Sequence, residues 1–345
     1  MTGRYPAILA LILWLPAACA PVPVGRGEPA GPPRLTETAY TAADGAVLPV
    51  RQWPAESPHA IVLALHGFND YRRAFALAAP DLAARGISVI AYDQRGFGET
   101  ATAGRWAGEA ALIEDALGLL RLLERRYPDT PVYLLGHSMG AAVATGVAAR
   151  AEAAELVEAT ILAAPAAWGW SELNVFYRAV LWTLARLAPG WTPSGEGLDR
   201  IASDNREALI ALGRDPLVIK ETRVDSIYGL VGLMEHALEA APRVTTPVLA
   251  LFGEKDEIVP AHAIEALISR LPGKHTEVCA FPEGWHLLLR DLGRSQVIGT
   301  IANFIADGAK GVSCGDDEAA AAQKGTSSSR SSPPPPGAPE EDGPV

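Results

Sequence analysis

Six short runs of nearly unbroken apolar residues punctuate the chain, at 60–65 (AIVLAL), 87–92 (ISVIAY), 132–135 (VYLL), 159–163 (ATILA), 248–252 (VLALF) and 276–281 (TEVCAF). They are too short for helices. A strand without polar alternation is covered on both faces, and that is the condition of a parallel sheet. Between the runs, at 75–84, 109–126, 139–151, 261–271 and 296–305, apolar residues recur at helical spacing. In 109–126, Ile113, Ala116, Leu117, Leu120 and Leu123 form one apolar face, which assigns Asp115, Arg125 and Arg126 to the outside. Strand, helix and strand repeated with right-handed crossovers give a doubly wound, mostly parallel α/β sheet. An antiparallel hairpin at 36–40 and 47–53, turning at Asp44-Gly45, precedes it. In such sheets ligands bind beyond the carboxyl ends of the strands. The polar residues that follow each run are therefore the candidates for chemistry.

The ends of the chain read differently. In residues 1–19, Arg4 precedes an apolar stretch at 7–15 and small residues lead to Cys19, the pattern of a secretory signal peptide. A bilayer-spanning helix needs about 20 apolar residues, so this stretch is too short. Small residues before Cys19 resemble the lipobox of bacterial lipoproteins, with Pro16 in place of the usual leucine. The expectation is an exported protein of the bacterial cell envelope, held to the membrane surface by lipidation of Cys19. Residues 20–34, rich in proline, read as an extended tether, and the low-complexity residues 308–345 as a disordered tail. One domain, 35–307, remains. A net charge of −11 without a basic run gives no counterion release on nucleic acid, which excludes that partner. The three cysteines, Cys19, Cys279 and Cys314, lack C-x-x-C spacing, so neither a metal site nor a cofactor is expected. Nothing in the sequence bears on oligomeric state.

Directly after the run at 132–135 stands Gly136-His137-Ser138-Met139-Gly140, followed by a helical pattern. A lone G-x-S-x-G is often an ordinary turn, but between strand and helix it presents a serine at a helix N-terminus. The flanking glycines are expected to supply close backbone passage and unusual dihedrals. A hydroxyl needs a base, and the base an orienting carboxylate. Asp256, in Phe252-Gly253-Glu254-Lys255-Asp256-Glu257, is the carboxylate, with Glu254 and Glu257 as rivals. His286, in Phe281-Pro282-Glu283-Gly284-Trp285-His286, is the base, and Gly284 frees its loop. An oxyanion hole needs two backbone donors. Met139 supplies one, and Phe68 in His66-Gly67-Phe68-Asn69-Asp70 the other, with His66 as a brace for that loop.

Taken in order, the motifs HGFND, DQRGFGET, GHSMG, FGEKDEIVP and PEGWH resemble the monoacylglycerol lipase and lysophospholipase branch of the α/β-hydrolases, which is grouped with serine aminopeptidases. The resemblance spans about 35–307 and implies a Ser138-Asp256-His286 triad acting through an acyl-enzyme on carboxylic esters of single-chain lipids. It also implies loop-bracing roles for Asp93 and Arg95, and a helical cap inserted at about 166–242. Within that cap Trp168, Trp170, Phe176 and Trp182 become candidates for binding the lipid, and Asp215 for a helix N-cap. Two rival readings keep the same fold. An aminopeptidase would need cap carboxylates for a substrate ammonium, and Glu172, Asp204, Glu207 and Asp225 are available. A non-catalytic envelope binding protein would be expected to have lost a member of the triad.

Overall fold

The computed structural model describes residues 21–193, 200–312 and 314. The signal peptide and the lipidation assigned to Cys19 lie outside the described residues. Strands β1 (Arg34–Leu35), β2 (Ala39–Thr41) and β3 (Val47–Trp53) form an antiparallel meander. All six apolar runs are strands: β4 (Ala60–Leu65), β5 (Ile87–Tyr92), β6 (Val132–His137), β7 (Ala159–Ala163), β8 (Val248–Gly253) and β9 (Thr276–Phe281). Together they make one sheet in the order β1-β2-β3-β5-β4-β6-β7-β8-β9, parallel from β5 to β9. The helices are α1 (Ala79–Ala84), α2 (Glu109–Arg126), α3 (Met139–Ala148), α4 (Ala153–Leu156), α5 (Val175–Leu187), α6 (Arg206–Arg214), α7 (Val224–Ala240), α8 (Ala261–Ile268) and α9 (Arg294–Asp307). Of these, α5 to α7 form the cap inserted between β7 and β8. No helix among the described residues is long and apolar enough to cross a membrane.

Burial on both faces explains why the strands lack alternation. In β4, Ile61, Leu63 and Leu65 join the core under α2, α3 and α7, while Ala60, Val62 and Ala64 join the opposite core under α1 and α9. Truncating fully buried Leu63 to Ala would cost about 2–5 kcal/mol, because the transfer term and the cavity left behind add.

Three expectations need correction. Asp115 does not face solvent; it is 1% exposed, and its Oδ1 accepts from Arg95 Nη2 at 2.9 Å. The same guanidinium donates to Asp44 at 2.8 Å, so one buried arginine ties α2 to the hairpin turn. Residues 21–34 are not a free tether. The Val24 amide donates to Trp106 O at 2.9 Å, Gly25 to Ala107 O at 3.1 Å, Gly27 to Asp44 Oδ2 at 2.9 Å and Ala30 to Ala43 O at 2.7 Å. The amides that the prolines spare are thus spent on carbonyls and a carboxylate of two domain loops. The ordered domain also does not end at 307. A 3₁₀ turn at Gly308–Gly311 leads to Cys314, which is disulfide-bonded to Cys279 on β9. Val312 and Cys314 pack on the core, a pairing that sequence spacing alone could not reveal.

The staple revises the effect of truncation. Deleting 308–345 removes it and opens a loop whose ends are 35 residues apart, worth about 4 kcal/mol in the chain-entropy model. We expect the melting temperature to fall by about 10 °C. Deleting 315–345 alone should leave it within about 1 °C. Equal melting curves for the two truncations would show that the staple contributes nothing.

Candidate active site

Ser138 sits between β6 and α3 with φ 54° and ψ −117°. The strained dihedral belongs to the serine itself; neither flanking glycine is among the residues with positive φ. What Gly136 and Gly140 provide is proximity. A Cβ on Gly136 would lie 2.3 Å from Gly140 O, and one on Gly140 would lie 2.1 Å from Leu65 O. Strain of this kind costs about 1–3 kcal/mol and persists only where surrounding contacts impose it. Here the Ser138 amide donates to Ala163 O at 3.0 Å, and its carbonyl accepts from Ala141 and Ala166 at 2.9 and 3.1 Å.

The hydroxyl of Ser138 lies 2.9 Å from His286 Nε2, and His286 Nδ1 lies 2.8 Å from Asp256 Oδ2. All three side chains are buried or nearly so. The other oxygen of Asp256 accepts from the Ile258 and Val259 amides at 2.8 and 3.0 Å. Burial by itself would raise the Asp256 pKa, but the bond from His286 and the two amides together hold it below the usual carboxylate value. The rivals point elsewhere. Glu254 is exposed, while Glu257 accepts from the Ile201 amide at 2.8 Å and its carbonyl from Arg200 at 2.9 Å.

His286 is held through its backbone. Its carbonyl accepts from His137 Nε2–H at 2.9 Å, the preceding Trp285 amide donates to Asp291 Oδ2 at 2.8 Å, and the following Leu287 amide donates to Ala202 O at 2.9 Å. Asp291, 1% exposed, also accepts from Ser203 Oγ at 2.5 Å. Sequence reasoning missed Asp291 and Ser203, since neither sits in a recognisable motif. His137 was read only as part of the serine turn. Burial, reinforced by the neighbouring His286, pushes the His137 pKa down to about 3, so it donates as a neutral imidazole.

Phe68 and Met139 flank the serine from two chain segments. Neither amide donates to another described residue. The loop carrying Phe68 presses on the serine, because a Cβ on Gly67 would lie 3.2 Å from Ser138 Cβ. His66 is fully buried; Nδ1–H donates to Gly67 O at 2.8 Å, and Nε2 accepts from the Gln94 amide at 3.0 Å. Both nitrogens are occupied, and burial lowers the pKa, so His66 braces the loop as a neutral ring. Asp93 accepts from the Arg72 and Glu99 amides, each at 2.9 Å, and so holds the neighbouring turn.

The four cap aromatics do not form one group. Trp168 packs against Val259, Ala263 and Ile264 beside the Asp256 loop, and Trp170 lies on Tyr228 of α7 with ring centroids 4.9 Å apart. Phe176 and Trp182 belong to the outer face of α5, 68% and 42% exposed, because that helix buries only Ala185. Asp215 is the C-cap of α6 rather than an N-cap, and accepts from Tyr71 Oη–H at 2.6 Å and the Leu217 amide at 3.0 Å. Of the cap carboxylates, Glu172 pairs with Arg270 at 3.6 Å, Asp225 bonds to Arg223 Nε at 3.0 Å, and Asp204 accepts from the Leu292 amide at 2.9 Å. Glu207 is exposed in the first turn of α6. No group of three His, Cys, Asp or Glu among the described residues could hold a metal ion.

Residues 56–293 match the model of the serine aminopeptidase S33 family. The monoacylglycerol lipase of Mycolicibacterium smegmatis is 24% identical over 273 residues, covering 78% of this chain and 96% of its own. The monoglyceride lipase of Mus musculus is 26% identical over 258 residues, covering 72% and 83%. Among solved structures, a soluble variant of monoglyceride lipase from Saccharomyces cerevisiae, in complex with a substrate analog, superposes with a TM-score of 0.66 at 20% identity, covering 80% and 95%. That structural likeness establishes the fold.

The histidines of this frame carry an acid liability. Because the folded pKa of His137 is depressed from 6.5 to about 3, the unfolded chain binds its proton first as the pH falls. Stability is therefore intact above 6.5 and drains toward 3, with His66 acting in the same direction. Thermal melts between pH 7 and 4 should show this decline, and His137→Asn, which cannot titrate there, should flatten it. A variant slope as steep as the parent's would assign the decline to other groups.

Proposed function

Because the chain belongs to the serine aminopeptidase S33 family of α/β-hydrolases, we propose that it is a carboxylic-ester hydrolase of that family's monoacylglycerol lipase branch and cleaves esters of single-chain lipids at Ser138. The observation that carries this reading is the unbroken line from Ser138 Oγ through His286 to Asp256, at 2.9 and 2.8 Å. His286 takes the serine proton as Oγ attacks the ester carbonyl, and Asp256 orients the ring and stabilises the imidazolium. The Phe68 and Met139 amides stabilise the oxyanion. Collapse expels the alcohol, which leaves with the proton from His286. Water, deprotonated by the same imidazole, then releases the fatty acid and restores the serine. The names of the relatives support a monoacylglycerol-like substrate. The aminopeptidase reading is weaker, because Glu172, Asp204 and Asp225 are already engaged and Glu207 faces solvent.

Ser138→Ala should abolish labelling by a fluorophosphonate and lower kcat by about 10⁶, since triad members act as a unit. Asp256→Asn should lower it by about 10⁴ by favouring the wrong tautomer, with Glu254→Gln near parental activity. Full labelling of Ser138→Ala, or a crippled Glu254→Gln beside an active Asp256→Asn, would overturn the assignment. Monoacylglycerol should be turned over and an aminoacyl-anilide left intact.

For location, we propose export with lipidation at Cys19. The Cys279–Cys314 disulfide supports an oxidising compartment. It also pairs two of the chain's three cysteines with each other, leaving Cys19 for modification. Since Val24 is already bonded to the domain, such an anchor would hold the enzyme close to the membrane rather than let it float. Mass spectrometry of the mature N-terminus tests this; an unmodified terminus downstream of Cys19 would refute it.

A further inference from the structure

A cavity of about 570 Å³ lies where the N-terminal strap, the start of α2 and the cap helix α7 meet. Its size falls in the range of small-molecule sites. One wall is the strap itself, with Pro21, Val22, Pro23 and Val24; the others include Trp106 and Tyr228. Ser138, Asp256, His286, Phe68 and Met139 are absent from its lining, so it is separate from the catalytic centre. Trp106 is the partition between the two. Its ring lies edge-on to Phe68 with centroids 6.4 Å apart, and its Nε1 stands close to Gly229, where an added Cβ would lie 2.2 Å away.

The strap is fixed rather than laid loosely over the opening. Its amides at Val24 and Gly25 bond to the carbonyls of Trp106 and Ala107, and Arg26 pairs with Asp115 at 3.6 Å. Charge at the rim narrows the occupant. Arg26 is paired with Asp115, Glu114 with Arg150 at 3.8 Å, and Asp225 with Arg223. Arg105 and Glu109, one of each sign, take part in none of these or any other ion pair among the described residues. A rim balanced in this way does not select an anion, whereas the apolar walls favour a hydrocarbon chain.

We propose that this cavity is a second ligand site, built partly by the chain's own residues 21–26, which takes the single alkyl chain of an amphiphile with an uncharged, hydrogen-bonding head. An alkyl chain seated there would rest against Trp106 and buttress the loop that carries Phe68. Gly232 offers a direct way to fill the space. It lines the cavity, and an added Cβ would meet nothing nearer than Glu109 Oε2 at 3.7 Å. Within α7 a leucine is also a better helix former than glycine.

The test uses the full chain with Ser138 first blocked by a fluorophosphonate, and 1-O-dodecylglycerol, an ether that an esterase cannot cleave, as the probe. Calorimetric titration should show one saturable site, and hydrogen exchange should slow at 21–26 on binding. Gly232→Leu should weaken binding at least tenfold, as should Val24→Asp, which keeps the strap's backbone bonds but puts a charge in the wall. Both variants should hydrolyse p-nitrophenyl acetate at the parental rate, which serves as the check on folding. Dodecanoate, with the same chain and an anionic head, should bind more weakly than the ether. Failure of the blocked enzyme to bind, or Gly232→Leu binding as tightly as the parent, would overturn the proposal. So would a site that opens only after residues 1–20 are removed, since the chain itself would then be the occupant. If the fluorophosphonate fails to label Ser138, the hydrolase reading falls, while the comparison of parent with Gly232→Leu still decides the alkyl-chain site.

Discussion

The close approach of Gly140 to the carbonyl of Leu65 is the contact on which the rest of the site depends. It brings the first turn of α3 against the end of β4, nearer than any side chain would permit. Ser138, caught between that helix and β6, is forced to positive φ, and its amide and carbonyl are then fixed by Ala163 and Ala166. The Gly67 loop also lies close against the serine, where a Cβ on Gly67 would stand 3.2 Å from Ser138 Cβ. The absence of Cβ atoms at Gly140 and Gly67 thereby sets the position of Ser138 and of the loop beside it, the two parts that the proposed mechanism uses.

The histidine and the carboxylate come from loops after two other strands, and strand register alone does not hold them. A short cap segment does. Arg200 and Ile201 bond to Glu257, Ala202 accepts from Leu287, Ser203 donates to Asp291, and Asn205 Nδ2 donates to Arg290 O at 2.8 Å. Residues 200–205 thus stitch the Asp256 loop to the His286 loop. His137 completes the frame from below by donating to the His286 carbonyl. Motion of the cap would be felt at the imidazole through bonds to its immediate neighbours, and not only through the shape of the substrate space.

The central sheet was legible because parallel strands buried on both faces leave uninterrupted apolar runs, and because the G-x-S-x-G turn occurs where strand and helix patterns meet. The positions of Ser138, Asp256 and His286 after β6, β8 and β9 follow from the same logic. What escaped the sequence was held together by other physics. Asp115 interrupts no pattern, and only the guanidinium of Arg95, distant in sequence, makes its burial tolerable. Residues 21–34 lack periodicity because backbone amides and a short proline-rich wall, rather than a helix or strand face, hold them to the domain. Cys279 and Cys314 are joined by chain geometry that spacing does not encode. Asp215 was placed at the wrong end of a helix because an aspartate before proline suits either a start or a stop.

Apart from Asp115, these misses share a location. The strap, the cap segment and the C-terminal staple all lie outside the repeating core, and single hydrogen bonds, ion pairs or a disulfide hold each of them. A hydrophobic core tolerates exchange among apolar residues of similar volume, so its pattern outlasts sequence divergence and yields a recognisable fold at 20% identity. A bond made by one amide or one carboxylate leaves no such pattern. The proposed reaction chemistry is built on the patterned part, at strand ends. The walls of the proposed ligand spaces come largely from the unpatterned part, with Trp168 packed beside the Asp256 loop, Trp106 against Phe68, and Val22 and Val24 along the strap. On the proposed reading, substrate choice in this chain rests on the contacts that are hardest to read from sequence.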